Sequence, residues 1–483
     1  MNVLFVLQLL IFLLGIIGVF LLTPALVAVV YGEMHMISAF LVPAVGAIVA
    51  GGLLVLRFRR SSRVLQPKEG FLLVSLGWLS VAALGAVPYV LSGVVPSFID
   101  AFFETMSGFT TTGATILQDI EGAPKSLLFW RSLTHWLGGM GIIVLTVAIF
   151  PLLGVGGLQL MKAEAPGPSL DKITPKVTET AKILWGIYLL ITVVQTALLM
   201  VGGMDLYDAL THTFGTVATG GFSPRADSVA YYQSPFIQNV ITIFMVMAGV
   251  NFIMYYKLLI RQVGPVWRDE ELRWYLAIFA IATGIITVSL VHNQYYPTVE
   301  ESVRFAAFQA ASILTTTGYA TADFALWPYT AQTALFMLMF FGGSAGSTGG
   351  GIKIIRIVTM VKQGFHELKY LLHPRGVFRL SLNGATLQKE FLYAVSGFVA
   401  LYILTLLITT LVVSTGGFDI NTSFTTALAT LGNIGPGFAL VGPTENYAFF
   451  PNYIKVYLSF IMMVGRLEIY TVLVLFSPLY WRR

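Results

Sequence analysis

The chain has 483 residues, of which 56% are hydrophobic and only 11% charged, and its mean hydropathy is +0.81. That is too little charge to coat a water-soluble globule of this length, so the composition reads as an integral membrane protein. Zero cysteines exclude disulfides, thiolate metal sites and cysteine nucleophiles, and six scattered histidines offer no replacement.

Charge-free runs long enough to cross a ~30 Å hydrocarbon core recur along the chain. They cover 1–32, 36–56, 70–98, 132–161, 183–204, 228–256, 274–298, 324–352, 391–418 and 456–481, the last interrupted only by Arg466 and Glu468. The expected fold is therefore an all-α integral membrane protein of about ten transmembrane helices. The first run lacks a positive n-region and a small-residue cleavage signature, and is read as a retained helix rather than a signal peptide. With the N-terminus inside, the cytoplasmic segments are 57–69, 162–182, 257–273, 353–389 and Arg482-Arg483. They hold 5, 4, 4, 7 and 2 basic residues, 22 of the 28 Lys and Arg. This asymmetry puts both termini in the cytoplasm, and it makes the net charge of +5 a topology signal rather than a nucleic-acid footprint.

Four small polar loops punctuate these runs: TTTGAT at 110–115, ATGGFS at 218–223, TTTGYA at 315–320 and NIGPGF at 433–438. Their glycines Gly113, Gly221, Gly318 and Gly435 lie 108, 97 and 117 residues apart, which marks an internal repeat. Each unit reads as a crossing helix, a half-length helix of about a dozen residues, the loop, and a second crossing helix. Residues 1–69 then form two extra N-terminal helices, and the four repeats occupy 70–182, 183–273, 274–389 and 390–483. A half-length helix cannot span, so it is expected to be re-entrant, and its non-helical loop is tolerated only where it lines a water- or ion-filled cavity. Four such loops around one axis supply the carbonyl oxygens needed to replace the hydration shell of a cation. The candidate filter is Thr111, Thr112 and Gly113; Thr219, Gly220 and Gly221; Thr316, Thr317 and Gly318; and Asn433, Ile434 and Gly435. Glycine at the aligned position lets the backbone reach left-handed torsions without a Cβ clash. Asp100 and Asp208 fall where two of the half-length helices begin, the end that favours negative charge. Asn433 and Ala218 replace filter threonines, so the ring is not chemically symmetric and a looser selectivity is expected than from four identical loops. Glu104 aligns with His212, Gln309 and Thr426; it is not a repeated ligand position and is assigned a buried hydrogen bond that holds its helix.

These loops, together with WLGGMGIIVLTVAIFPLLGVGGLQLMKAEAPGP (136–168), GGSAGSTGGGIK (342–353) and GRLEIYTVL (465–473), resemble the TrkH branch of the bacterial Trk/Ktr/HKT potassium transporters. The resemblance covers nearly the whole chain. It implies a bacterial inner-membrane protein that conducts K⁺, and with it Rb⁺. In that family glycine in all four loops goes with potassium conduction, whereas serine in the first loop of some plant members goes with sodium. It also implies a homodimer embedded in lipid and a cytosolic nucleotide-binding ring partner, TrkA. The chain itself lacks a Walker A sequence, since Gly349-Gly350-Gly351-Ile352-Lys353 has no Gly-Lys-Ser/Thr step.

Two features point to control of flow. Six of the ten residues of GGSAGSTGGG (342–351) are glycine, a run that cannot be a rigid helix at ~1 kcal/mol per glycine relative to alanine. Gly346, Gly349 and Gly350 are assigned to a flexible intramembrane loop below the filter, the gate of the resembled family; the alternative is close helix packing through small residues. Arg466, about ten residues into the last span, costs at least ~2.5 kcal/mol on insertion scales and must face water, carbonyls or an acid. It is assigned as a positive barrier and partner of the loop's carbonyls, the alternative being a structural pair with Glu468 or another acid. Gly342-Gly343-Ser344-Ala345-Gly346 also matches G-x-S-x-G, but no strand precedes it and no His–carboxylate pair aligns with it, so the chain is not expected to be an enzyme. His366-Glu367 lacks the second histidine of a zincin, Tyr370 standing there. A K⁺ carrier coupled to H⁺ or Na⁺, a symporter, remains the alternative to passive conduction, although most spans hold no central acid for a proton relay.

Overall fold

Helices follow the apolar runs in order within the residues that the computed structural model describes, 2–58, 65–141, 177–376 and 378–482. Three helices come first: α1 (Val3–Phe20), α2 (Leu22–Val30) and α3 (Met34–Phe58). Next are α4 (Pro67–Leu91), α5 (Phe98–Phe109) and α6 (Lys125–Gly139), then α7 (Val177–Val201), α8 (Leu206–Val217), α9 (Pro235–Ala248) and α10 (Phe252–Leu259). The chain continues through α11 (Glu270–His292), α12 (Val299–Leu314), α13 (Tyr329–Leu338) and α14 (Ile354–Leu372). Then come α15 (Lys389–Ser414), α16 (Ile420–Leu431), α17 (Asn452–Arg466) and α18 (Tyr470–Leu473), and a last helical turn covers Pro478–Trp481. Between α14 and α15 lies a small antiparallel hairpin, Ser381–Leu382 paired with Ala385–Thr386. The protein is an all-α membrane protein. Its outward helix faces carry apolar stripes at helical spacing, Val42, Val45, Val49 and Leu53 on α3 and Leu404, Leu407 and Leu411 on α15, each more than half exposed. Such stripes suit lipid, which needs no polar coat.

The four half-length helices α5, α8, α12 and α16 start alike. Ser97, Asp205, Thr298 and Asp419 each accept, through a side-chain oxygen, the backbone N–H three residues on. An N-cap of this kind satisfies one of the free donors that every helix start leaves. At Asp419 the Thr422 hydroxyl, and then its backbone N–H, hold the carboxyl below its usual range.

The second helix of a repeat differs from the sequence expectation. The runs 228–256 and 456–481 are not continuous spans: α9 and α10 meet at a 96° bend, and α17 and the segment from Tyr470 at 113°. α13 stops after ten residues and α14 starts only at Ile354, beyond the glycine-rich run. α6 ends at Gly139, so Met140 and Gly141 are not helical; residues 142–161 of the expected helix, the loop to 176 and most of the 136–168 motif lie outside the described residues. Among the described residues, six helices are long and apolar enough to cross a membrane, or eight if each bent pair is one span. The breaks sit beside the filter loops: a Cβ on Gly138 would overlap the carbonyl oxygen of Phe109, and one on Gly465 that of Leu431, the equivalent last residues of α5 and α16.

Candidate ion-conducting ring and gate

Each half-length helix ends in the same backbone turn. The residue after the C-cap is left-handed in all four: Thr111 (φ 54°), Thr219 (55°), Thr316 (59°) and Asn433 (53°). Its N–H returns to the carbonyl three residues back, and the next N–H reaches five back: Thr111 to Gly108 and Thr112 to Ser107, Thr219 to Thr216 and Gly220 to Gly215. Thr316 and Thr317, and Asn433 and Ile434, repeat the pattern on α12 and α16. This is a Schellman closure, which consumes the loop's donors on the helix and leaves its acceptors free. Glycine is the usual residue at the left-handed position; a β-branched threonine there is strained, and such strain persists where the surroundings over-determine it.

Two residues on, Gly113, Gly221, Gly318 and Gly435 have φ of 82°, 82°, 81° and 94°. A Cβ on Gly113 would lie closer than 3.0 Å to the carbonyl oxygen of Gly220, and one on Gly221 equally close to that of Thr317. Gly318 stands in the same relation to Ile434, and Gly435 to Thr112. The four loops thus close a ring in chain order, each glycine abutting the carbonyl that precedes the next loop's glycine. Among the described residues no protein donor reaches the carbonyl oxygens of Thr112, Gly220, Thr317 or Ile434, although all four residues are buried. Buried carbonyls without donors are costly unless a ligand or water meets them.

All twelve candidate filter residues therefore fall in one ring. Its backbone is fourfold but its side chains follow a twofold pattern. Thr110 and Thr112 share a hydroxyl–hydroxyl bond of 2.8 Å, and the opposite loop repeats it between Thr315 and Thr317 at 2.7 Å. The other two loops carry Ala218 with Gly220 and Gly432 with Ile434, which cannot. Asn433 instead donates its amide to Thr112 Oγ1 and to the Met462 carbonyl, both at 2.9 Å, tying the fourth loop to the first.

Outside the ring, Glu104 has the holding role expected of it, and its main partner was not visible in the sequence. Its carboxylate accepts from Arg131 Nε (2.6 Å), the Ile116 N–H (2.8 Å) and the Thr115 hydroxyl (2.9 Å). Arg131 also donates to the Ser223 carbonyl at 2.9 Å and lies over the Phe222 ring, so the pair joins the first loop to the second. Both side chains are at most 3% exposed. Removing one partner of such a buried pair strands a charge, so Glu104→Ala should lose about 3–5 kcal/mol of stability. Thermal unfolding in detergent checks this; an unchanged midpoint would show that the pair holds nothing. Tyr447 and Tyr319 add outer braces, donating to the Gly435 carbonyl (2.7 Å) and to the Phe222 carbonyl (3.1 Å). Asp100 and Asp208 lie in the first turns of α5 and α8 but are spent on Lys455 and Arg225.

On the side of the ring where the half-length helices end, the segment 342–351 is non-helical, as expected, but it is tightly held. The Gly350 N–H donates to Thr316 Oγ1 at 2.7 Å, the Thr348 hydroxyl to the Val217 carbonyl at 3.0 Å, and the Phe252 N–H to the Gly346 carbonyl at 3.0 Å. Lys353 Nζ donates to the Gly349 carbonyl. A Cβ on Gly350 would overlap the Gly432 carbonyl oxygen, so the glycines serve close approach as well as freedom from helix. Arg466 is the last residue of α17; it donates to the Thr348 carbonyl at 2.7 Å and to those of Gly138 and Gly139 at 2.8 and 2.9 Å. A guanidinium there meets the negative ends of two helices. The suggested pairing with Glu468 does not occur, since Glu468 binds Arg356. The chain leaves this corner through Glu468 and Ile469, both at positive φ, the latter in a strained γ-turn. Among the described residues, Ser344 Oγ, the would-be nucleophile, is buried with no hydrogen-bond partner, and no cluster of three His, Cys, Asp or Glu could hold a metal ion.

Comparison with known proteins agrees with this architecture. A family model described as TrkH, cation transport protein, matches residues 36–483. The Trk system potassium uptake protein TrkH of Salmonella typhimurium is 42% identical, over 95% of this chain and 95% of its own. The protein of the same name from Vibrio parahaemolyticus is 38% identical over 97% of each. The crystal structure of the potassium transporter TrkH from Vibrio parahaemolyticus superposes with a TM-score of 0.86 at 35% identity, covering 98% of this chain and 99% of that one. By sequence match and by fold, the chain belongs to the TrkH family of cation transport proteins.

Proposed function

We propose that this protein takes up K⁺ across the bacterial inner membrane by passive conduction through the four-loop ring. Its relatives named Trk system potassium uptake protein support K⁺ as the cargo, and Rb⁺ follows as its chemical stand-in. The observation that carries the reading is the closed ring of buried, donor-free carbonyls from Thr112, Gly220, Thr317 and Ile434, which offers a dehydrated cation oxygen on every side. Thr111, Gly113, Thr219, Gly221, Thr316, Gly318, Asn433 and Gly435 complete the filter by fixing the turns that aim those carbonyls. The segment bearing Gly346, Gly349 and Gly350, with Arg466, forms the gate beneath it. The working unit is a homodimer in lipid with cytoplasmic termini, and a TrkA-like cytosolic nucleotide-binding protein sets the gate.

Flux of radioactive Rb⁺ into proteoliposomes tests the passive reading. Uptake down a Rb⁺ gradient alone, unaffected by an added pH or Na⁺ gradient, is expected; accumulation that requires either gradient would replace conduction with coupled carriage. In the same assay, deletion of residues 344–349 should raise basal flux, and a folded deletion variant with wild-type flux would remove this segment from the gate.

A further inference from the structure

The first turn of α11 holds a buried carboxylate that neither the ring nor Arg466 uses. Glu271 is 6% exposed, and its Oε1 accepts the backbone N–H of Ala345 at 2.7 Å and that of Ile355 at 3.1 Å. Ala345 and Ile355 stand on either side of Gly346–Gly351, so one carboxylate oxygen grips both flanks of the glycine-rich segment. We propose that Glu271 is the positioning residue of the gate, the clamp that keeps this segment across the ion path; the proposal rests on the gate reading above. One oxygen that accepts both N–H groups joins the two flanks and removes conformational freedom that a glycine run otherwise keeps.

The same turn leads to the surface that carries the basic segments. The Glu270 N–H donates to Asn383 Oδ1 at 2.7 Å, and Asn383 Nδ2 donates back to Asp269 Oδ2 at 2.9 Å. Asn383 is a turn residue of the 381–386 hairpin. Lys362, on the helix that follows the gate, pairs with Glu270 and donates to the Ser381 carbonyl at 2.9 Å. An unbroken set of polar contacts thus connects the hairpin, through residues 269–271, to both flanks of the segment. Displacing the hairpin pulls on the clamp, which gives a cytosolic force a route to the gate.

Because the chain has no cysteine, Ser347→Cys provides a single thiol inside the segment. In that background Glu271→Ala should raise both the rate of maleimide labelling and the basal Rb⁺ flux about tenfold, as expected on losing two buried hydrogen bonds. The K⁺/Na⁺ ratio should not move, because the ring is untouched. Glu271→Gln keeps an oxygen acceptor and should restore both readouts most of the way, which a general loss of packing would not predict. Should Glu271→Ala fail to fold, Glu271→Asp carries the test: its shorter carboxylate cannot reach both N–H groups, and it should raise labelling and flux. Folded Ala or Asp variants that label and conduct like the background would overturn the proposal, and the gate reading would still stand if deletion of 344–349 raised flux. Faster labelling with unchanged flux would overturn the gate reading itself, and the proposal with it.

Discussion

Gly113→Ser should raise Na⁺ permeation relative to K⁺ by about tenfold, the equivalent of ~1.4 kcal/mol between two ions competing for one site. Gly113 has φ 82°, a torsion that costs a residue bearing a Cβ of order 1–3 kcal/mol. The new Cβ would also meet the Gly220 carbonyl oxygen inside any normal contact distance. That oxygen belongs to the neighbouring loop, so relief of the clash displaces a ring carbonyl rather than a passive neighbour. Added hydroxyl and displaced carbonyl both alter the field that distinguishes the two ions. Glu104, Arg131 and the helix caps lie outside this contact, and the variant should fold. Relative Rb⁺ and Na⁺ flux measures the effect, and an unchanged ratio removes Gly113 from the filter.

The second large effect is expected at Arg466. A cation ~4 Å from a guanidinium meets about 4 kcal/mol of repulsion at an effective dielectric near 20, which slows passage by roughly three orders of magnitude. Arg466→Ala should therefore increase flux strongly without changing the K⁺/Na⁺ ratio, since the ring lies beyond its contacts. The carbonyls of Thr348 and Gly139 lose their donor in that variant, while that of Gly138 keeps the Gly141 N–H at 3.0 Å. If the corner is wet, water replaces it at little cost; if dry, each of the two carbonyls left without a donor loses about 1–3 kcal/mol and the yield of folded protein falls. Arg466→Lys keeps the charge but not the fork that spans three carbonyls, and should retain much of the block. Flux per folded protein separates barrier from brace: poorer folding with unchanged unit flux would end the barrier assignment.

The residues that sequence could identify were those whose chemistry is stated by type and spacing. Glycine at four matching offsets is legible because only glycine combines a left-handed torsion with so close a neighbour, and Gly113, Gly221, Gly318 and Gly435 are found with both. Arg466 is legible because an arginine among apolar residues has few solutions, and one carbonyl of the glycine-rich segment, that of Thr348, is among the partners it takes. The breaks in the second helices were hidden, because Gly249 and Gly465 sit singly in apolar runs and cost too little to announce a bend of 96° or 113°. Threonine at the left-handed turn position was hidden too, since propensity argues against it and tertiary context overrides the cost. Arg131 and Glu271 stand near the ends of apolar runs, where a charge reads as a boundary marker; only the fold shows Arg131 against Glu104 and Glu271 against two amide groups. The cyclic order of the loops could not be read from one chain, because equal spacing along a sequence says nothing about which loop abuts which.

The most direct test of the ring is to locate the ion. Crystals of the protein grown in Rb⁺ should show anomalous density on the axis enclosed by the carbonyls of Thr112, Gly220, Thr317 and Ile434, and Na⁺ exchanged for Rb⁺ should abolish it. Protein that conducts Rb⁺ in proteoliposomes but shows no density within the ring, or shows it only between helices elsewhere, would contradict the account.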